Sequence, residues 1–300
     1  MRRVVAIANG KGGVGKTSLT AGLAGLFAAS GYRVLTVDAD PQGNLRRDLG
    51  YADSDGQELA AAITEGTHLT PIRGVRANLD VVPGGVALEG LVLAPDSDQL
   101  HGLRSALDSL RPHGHAHEDY DLVLIDTPPG EAGLQSLVFA AADYLIIPTR
   151  SDDASLDGLV RVATRFAAAR ATNPTLTLLG VLLFGVRANS VRARESVRAS
   201  LVDTLDGAAP VFAASIRYLE SAAIDMRRRG LLPHELEESQ LKEKARRIAR
   251  LKRGSKASDG EDLLSRDASG IAGDYLALAR EILDAIAERE TPVAHAAGVR

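Results

Sequence analysis

A glycine-rich loop near the amino terminus constrains the fold of this chain more than any other feature. Residues 9–18 have the sequence NGKGGVGKTS, which contains the phosphate-binding pattern G-x-x-x-x-G-K-[ST] and ends it at Lys16 and Thr17. The apolar segment Val4–Ala8 precedes the loop, and a helical pattern follows it. In such a strand–loop–helix unit, backbone N–H groups and the positive end of the helix dipole face one anionic group. The sequence therefore predicts a loop that binds the phosphates of a nucleotide.

The side chains of this loop suit a nucleotide with Mg²⁺. Lys16 is placed to contact the β- and γ-phosphates, and the Thr17 hydroxyl is a ligand for Mg²⁺. A phosphate loop needs one lysine, so the second one, Lys11, suggests a nucleotide switch whose active form contains two copies of the chain. The residues expected to bind the nucleotide are Lys11, Gly12, Gly13, Val14, Gly15, Lys16, Thr17 and Ser18.

Acidic residues follow two other apolar segments. Asp126 comes directly after a predicted buried strand, at the carboxyl end, where open α/β sheets bind their ligands. A carboxylate at this position can hold Mg²⁺ through a water molecule. Asp38 and Asp40 end the second apolar segment, and the turn residues that follow favour a divergence of their side chains. We select Asp40, nearer the tip of the strand, to orient the attacking water or to hold Mg²⁺ through water.

Apolar segments of strand length alternate with helical patterns along the chain, which indicates an α/β fold. The apolar segments are rich in Val, Ile and Leu and mostly lack polar alternation, as in strands that are buried on both faces. The predicted strands are Val4–Ala8, Val34–Val37, Leu79–Val82, Leu122–Ile125, Tyr144–Ile147 and Leu176–Phe184. The predicted helices are Thr17–Ser30, Leu100–Leu110, Gly133–Ala141, Ala154–Ala171, Val191–Leu205 and Ile271–Glu288. We expect a mostly parallel, twisted sheet with helices on both faces, of the P-loop NTPase type.

We expect one P-loop domain over residues 1–290. It includes a charged segment at about 234–267, which we expect to be a basic helix followed by a flexible loop. Residues 291–300 are expected to be a frayed tail.

The composition excludes several classes of protein. The chain contains no cysteine, which excludes disulfides, thiolate catalysis and iron–sulfur ligation. The first apolar segment is too short for a signal peptide, and no later stretch reaches the roughly 18 apolar residues of a membrane-spanning helix. We therefore expect a cytoplasmic protein that does not enter a membrane.

Positive charge is concentrated in the second half of the chain. Residues 187–256 contain 16 Lys or Arg and nine Asp or Glu, although the net charge of the whole chain is −4. Such an excess suggests an anionic partner, and nonspecific binding to DNA depends mainly on contacts with its phosphates. The candidate DNA-binding residues are Arg187, Arg192, Arg194, Arg217, Arg246 and Arg250.

Three motifs stand out along the chain: KGGVGKT at 11–17, DADPQGN at 38–44 and DTPP at 126–129. Together they resemble the ParA family, the deviant-Walker ATPases that partition plasmids and chromosomes. The similarity extends over about residues 3–230. The resemblance implies an enzyme that hydrolyses ATP with Mg²⁺ and pairs as an ATP-bound dimer. It also implies that Lys11 crosses the dimer interface to the partner's phosphates, much as an arginine finger acts in trans. Lys11, Lys16 and Asp40 are accordingly the expected catalytic residues.

The same resemblance implies three partners, which are a second copy of the chain, nonspecific DNA and a ParB-like centromere-binding protein. It implies slow, partner-stimulated turnover and association with the nucleoid in the cytoplasm. The alternative is a MinD- or ParA-like ATPase that positions another cargo on the nucleoid or on a membrane. A membrane-bound ATPase of this kind would need an amphipathic carboxyl-terminal helix, whereas residues 277–290 are rich in small and acidic residues. A metallocluster carrier of the same fold is disfavoured because the chain has no cysteine.

Overall fold

The computed structural model describes residues 3–91, 98–110, 120–150, 153–187, 191–252, 265 and 268–291. Within these ranges the side chains of residues 153–160 and 250–252, and those of Asp98 and Arg247, are not described.

A single twisted sheet runs through the described part of the chain. Its eight strands are β1 (Arg3–Ile7), β2 (Val34–Asp38), β3 (Ile72–Arg76), β4 (Leu79–Val82), β5 (Leu122–Asp126), β6 (Tyr144–Thr149), β7 (Thr177–Val186) and β8 (Val211–Arg217). Their order is β3-β4-β2-β5-β1-β6-β7-β8. The pairing of β3 with β4 is antiparallel, and the other recorded pairings are parallel. The phosphate-binding loop follows the central strand β1.

Helices cover both faces of this sheet. They are α1 (Lys16–Ala29), α2 (Leu45–Leu49), α3 (Gln57–Glu65), α4 (Gly102–Ser109), α5 (Ala132–Ala141), α6 (Asp153–Thr172), α7 (Val191–Leu205), α8 (Glu220–Arg229), α9 (Pro233–Lys252) and α10 (Ser269–Glu290). Short 3₁₀ turns lie at Val86–Gly90 and Asp98–His101.

The core consists of two apolar layers, one on each side of the sheet. Alternate residues of β1 enter different layers, since Val4 and Ala6 lie in one and Val5 and Ile7 in the other. The first layer also contains apolar side chains of α3, α4, α5, α6 and α7. The second contains side chains of α1, α2, α8, α9 and α10. The expected fold class, a mostly parallel sheet with helices on both faces, is confirmed.

The structure adds elements that the sequence patterns did not predict. Strands β3 and β8 lie at the two edges of the sheet and lack the continuous apolar pattern of the central strands, since β3 has no fully buried residue and buried positions alternate with more exposed ones in β8. Helices α2, α3 and α8 are also additional. The charged segment at 234–267, expected to start as a basic helix, begins with the 20-residue helix α9, in which Leu236 is buried in the core and which packs against α1, α8 and α10. Residues 253–264 and the expected tail at 292–300 lie outside the described residues.

Candidate nucleotide-binding site

The phosphate-binding loop connects β1 to α1 through two glycines in the left-handed region. Gly13 has a φ of 73°, and Gly15, which caps the start of α1, has a φ of 90°. A Cβ atom on Gly15 would also lie 2.1 Å from the ring of Phe184 on β7. Position 15 therefore requires glycine for two reasons, its positive φ and the close packing of the Phe184 ring. Phe184 supports the loop through a contact between residues that are far apart in the sequence, which the loop pattern could not indicate.

Lys16 lies beneath the loop with only 6% of its surface exposed. Its Nζ donates a hydrogen bond to the carbonyl oxygen of Lys11 at 3.1 Å. Burial lowers the pKa of Lys16, and the nearby carboxylates of Asp126 and Asp40 partly oppose this shift. The site thus holds a poorly solvated cation whose charge a bound phosphate would stabilise.

Asn9 fixes the backbone on which Lys11 is carried. The Asn9 side chain is fully buried; its Nδ2 donates to the carbonyl oxygen of Pro148 at 2.7 Å, and its Oδ1 accepts from the backbone N–H of Lys11 at 2.9 Å. The half-buried Lys11 is followed by the exposed Gly12 and Gly13, so this part of the loop lies at the protein surface.

Asp126 is the last residue of β5, and it lies between Ile7 of β1 and Asp38 of β2 in the register of the sheet. The carboxylate is fully buried, and neither oxygen accepts a hydrogen bond of normal geometry from any described residue. Burial raises the pKa of Asp126 well above its ordinary value, and the charge of Asp38 raises it further, while Thr17 and Lys16 lower it. Two unused carboxylate oxygens near the Thr17 hydroxyl form an all-oxygen donor set, which is the kind that Mg²⁺ prefers. The residues present therefore fit a magnesium site.

The two aspartates after β2 have different surroundings. Asp38 is fully buried, and its carboxylate accepts hydrogen bonds from the backbone N–H groups of Asp40 and Leu45 and from the Tyr51 hydroxyl. Burial raises its pKa to about 7. Asp40 lies in the turn, with Oδ1 accepting from the N–H of Gln42 at 2.9 Å, and its charge acts on Lys16. The expected divergence is present: Asp38 shapes the turn, and the charge of Asp40 acts on Lys16.

Gly84 supports this turn, which the sequence motifs did not indicate. A Cβ atom on Gly84 would lie 2.3 Å from the carbonyl oxygen of Asp38 and 2.9 Å from that of Asp40. The chain after β4 therefore packs directly against the backbone of the acidic turn. The only sequence signal for this contact is the Pro-Gly-Gly segment after a strand.

The candidate DNA-binding arginines do not form one patch. Arg192 and Arg194 lie on α7, which packs on one face of the sheet, whereas Arg246 and Arg250 lie on α9, which packs on the opposite face. Arg192 and Arg246 are exposed, and the side chain of Arg250 is outside the described part of the structure. An open groove of about 550 Å³ between α7, β8 and α10 is lined by Arg194 and by four other polar residues: Glu195, Arg198, Ser215 and Asp274.

Arg187 follows β7 and Arg217 ends β8, and the two arginines lie in different settings. The exposed Arg187 stacks on the ring of Tyr218, with its guanidinium carbon 4.7 Å from the ring centre. The Arg217 guanidinium forms a two-pronged ion pair with Asp274, with both N–O distances 2.7 Å. Because its charge is compensated within the fold, Arg217 is the weaker phosphate-binding candidate of the two.

Comparisons with known proteins agree with this geometry. A family model described as an AAA domain matches residues 2–178. The chromosome partitioning protein ParA of Caulobacter vibrioides is 35% identical over 187 residues, covering 60% of this chain and 68% of that protein. The chromosome-partitioning ATPase Soj of Thermus thermophilus is 37% identical over 191 residues, with the same coverage of 60% and 68%.

Solved structures share the fold. Apo McdA from Cyanothece superposes with a TM-score of 0.67 at 24% identity, covering 79% of this chain and 93% of that one. A cobyrinic acid a,c-diamide synthase from Mycobacterium smegmatis, solved with an ATP analog and magnesium, has a TM-score of 0.63 at 29% identity, covering 77% and 93%. No helix in the described residues has the length and apolar character needed to span a membrane. The family match, the identity to ParA and Soj, and the phosphate-binding loop together show that the chain belongs to the AAA-domain family and, within it, to the ParA-family ATPases.

Proposed function

We propose that this chain is a magnesium-dependent ATP hydrolase that dimerises on binding ATP, binds nonspecific DNA as the dimer, and partitions a plasmid or chromosome with a ParB-like centromere-binding partner. The cytoplasm, on the nucleoid, is its proposed location. The observation that supports this most strongly is the buried Asp126 carboxylate, which accepts no hydrogen bond of normal geometry from the described residues and lies close to the buried Lys16 of the glycine-rich loop.

The proposed chemistry assigns one task to each side chain of the site. The backbone from Gly12 to Ser18 and the Lys16 ammonium bind the phosphates, and their positive charge offsets the charge that develops on the transferred group. The Thr17 hydroxyl and Asp126 would hold Mg²⁺, Asp126 through water, and the bound ion would neutralise phosphate charge. Asp40 orients the attacking water, because its carboxylate lies at the tip of the strand next to Lys16.

Lys11 is assigned to the neighbouring subunit's nucleotide. Without nucleotide, two faces that each present lysines and glycine-rich backbone repel one another. Bound ATP supplies the counter-charge between them, so it favours the dimer through its differential affinity for the two states. Hydrolysis and release of the terminal phosphate then remove the favoured contacts.

The experiment that tests this function measures DNA binding in each nucleotide state. A labelled duplex of arbitrary sequence should bind with a Mg-ATP analog that resists hydrolysis and should bind weakly with Mg-ADP or without nucleotide. If about four phosphates are contacted per dimer, log K should fall with log salt concentration at a slope of about −3.6. An affinity that does not change between low and moderate salt would contradict DNA binding.

Two matched variants identify the face that contacts DNA. Arg194→Gln and Arg246→Gln each remove one charge, from α7 and from α9 on opposite faces of the sheet. Because the dimer carries two copies of each arginine, the variant on the contacting face should reduce the salt slope by about two. Flotation of the ATP-analog complex with vesicles of anionic lipid, with no binding to DNA, would instead favour the positioning of a cargo on a membrane.

A further inference from the structure

Two side chains outside the proposed chemistry connect helix α6 to the loops of the site. Gln135 on α5 is fully buried. Its Nε2 donates to the carbonyl oxygen of Pro128 at 3.0 Å and to that of Asn9 at 3.4 Å. One buried amide therefore joins the loop after β5 to the start of the phosphate loop.

Arg165 on α6 completes this connection. Its Nη1 donates to Oε1 of Gln135, and its Nη2 donates to the carbonyl oxygen of Gly130 at 3.1 Å. No carboxylate forms an ion pair with Arg165 among the described residues, and the like charge of Arg161 lies nearby. Arg165 thus directs its planar guanidinium to neutral acceptors, and no acid among the residues with described side chains forms an ion pair with it.

Gln135 and Arg165 bond backbone carbonyl groups of two loops, and these loops contain the residues to which the proposed function assigns turnover. Asn9 accepts from Gln135 through its carbonyl oxygen and fixes the N–H of Lys11 through its side chain. Pro128 and Gly130 belong to the loop that begins directly after Asp126 and Thr127. The two loops that carry the intersubunit lysine and the magnesium-binding carboxylate are therefore attached to the same two side chains.

We propose that Gln135 and Arg165 are positioning residues for the nucleotide site, and that they set the spacing between the phosphate loop and the Asp126 loop from helix α6. The proposal rests on the function proposed above. Arg165 of α6 bonds Gly130 directly and the phosphate loop through Gln135, so both loops depend on the position of α6.

Hydrogen–deuterium exchange of the full chain without nucleotide tests this connection directly. Arg165→Met removes both donors from a half-buried position and keeps the apolar part of the side chain. Loss of hydrogen bonds from a charged donor should speed exchange by about tenfold in segments 9–17 and 127–131. Arg161→Met is the matched control, since it removes an exposed arginine one turn away on the same helix, and it should leave both segments unchanged. Equal exchange in the two variants would overturn the proposal.

Kinetics and a double-mutant cycle then separate positioning from general stability. Arg165→Met should lower kcat about tenfold with little change in KM for ATP, and Gln135→Leu should do the same. Because the two residues act as one unit, the double variant should be no slower than either single variant. Additive losses, or losses matched by Arg161→Met, would contradict the proposal. If the unmodified chain hydrolyses no ATP, the proposed function fails, and the exchange experiment still decides whether the loops are held by this pair.

Discussion

The neighbouring carboxylates of Asp38 and Asp126 show how burial alone fails to identify a functional residue. Both are fully buried at the carboxyl edge of the sheet, and the pKa of each is raised by burial. Asp38 accepts three hydrogen bonds, whereas Asp126 accepts none of normal geometry from the described residues. A buried carboxylate without donors is costly for folding. We propose that a bound magnesium ion offsets this cost at Asp126.

Replacing Lys16 tests the phosphate site directly. Lys16→Ala should abolish detectable nucleotide binding, because it removes the buried ammonium that lies beneath the loop. Fluorescence anisotropy of a labelled ATP measures the affinity. Lys242→Ala, which changes an exposed lysine of α9, is the control and should bind as the unmodified chain does. Unchanged affinity in Lys16→Ala would contradict the assignment.

The raised pKa of Asp126 predicts a pH-dependent stability in the absence of magnesium. Its pKa in the folded protein lies well above the ordinary value of 3.8, so folding favours the protonated form. The contribution of this group to the free energy of unfolding is therefore fully favourable at low pH. It falls as pH rises from about 4 toward the raised pKa, by at most about 1.4 kcal/mol per pH unit.

Asp126→Asn cannot titrate, so its stability relative to the unmodified chain should increase between pH 5 and pH 8. Urea unfolding with a chelator present at both pH values measures this difference. The same variant should lose magnesium-dependent turnover. A stability difference that is equal at the two pH values would contradict the proposed environment of Asp126.

The sequence predicts the residues of the phosphate loop, Asp40 and Asp126 because each lies within a short local pattern. It does not indicate Phe184, Gly84 or Gln135, whose contacts with the site join residues that are distant in the sequence. Positive φ at Gly13 and Gly15 follows from the loop pattern, but the packing of Phe184 against Gly15 depends on the position of β7 in the sheet.

At the scale of single elements, the edge strand β8 is protected by carboxylates of α10. The strand leaves its register with β7 between Val211 and Ser215. Within this irregular stretch, the N–H groups of Ala213 and Ala214 donate to the two oxygens of Glu281 at 2.8 and 2.7 Å. Unpaired N–H groups on a sheet edge invite pairing with another chain, so this cap both stabilises the strand and blocks the edge.

Glu281→Ala should lower the free energy of unfolding by about 2 kcal/mol, because two hydrogen bonds to a charged acceptor are lost from a partly exposed site. It should also increase aggregation on heating. Glu288→Ala removes an exposed carboxylate from the same helix and should have little effect. Chemical unfolding measures the free energy of unfolding of both variants. Equal values for Glu281→Ala and Glu288→Ala would show that the hydrogen bonds of Glu281 do not stabilise the fold.

Elements with continuous apolar patterns, such as β1, β2 and β5, are predicted from the sequence with their boundaries within one residue. Strands β3 and β8 are not predicted, because an edge strand packs on few neighbours and mixes polar with apolar residues. The charged composition of α9 predicts a basic helix, but it does not indicate that Leu236 is buried or that α9 packs against α1, α8 and α10.

At the scale of the whole molecule, the basic region at 187–256 is continuous in the sequence but is divided between two surfaces on opposite faces of the sheet. The arginines of α7 and those of α9 lie on opposite faces, so they cannot all contact the same straight duplex in one protomer. The phosphate loop lies at the carboxyl edge, where the exposed Gly12 and Gly13 are available to a second copy of the chain. A dimer formed through that edge would present two equivalent basic surfaces.

The central claim is that ATP joins two copies through Lys11, and the molar mass in solution tests it most directly. Light scattering with a Mg-ATP analog that resists hydrolysis should give about twice the chain mass of 31.6 kDa, and the same experiment with Mg-ADP should give the single-chain mass. Lys11→Ala should still bind the analog and remain at the single-chain mass. A single-chain mass for the unmodified protein at saturating analog, or an equally stable dimer of Lys11→Ala, would contradict the account.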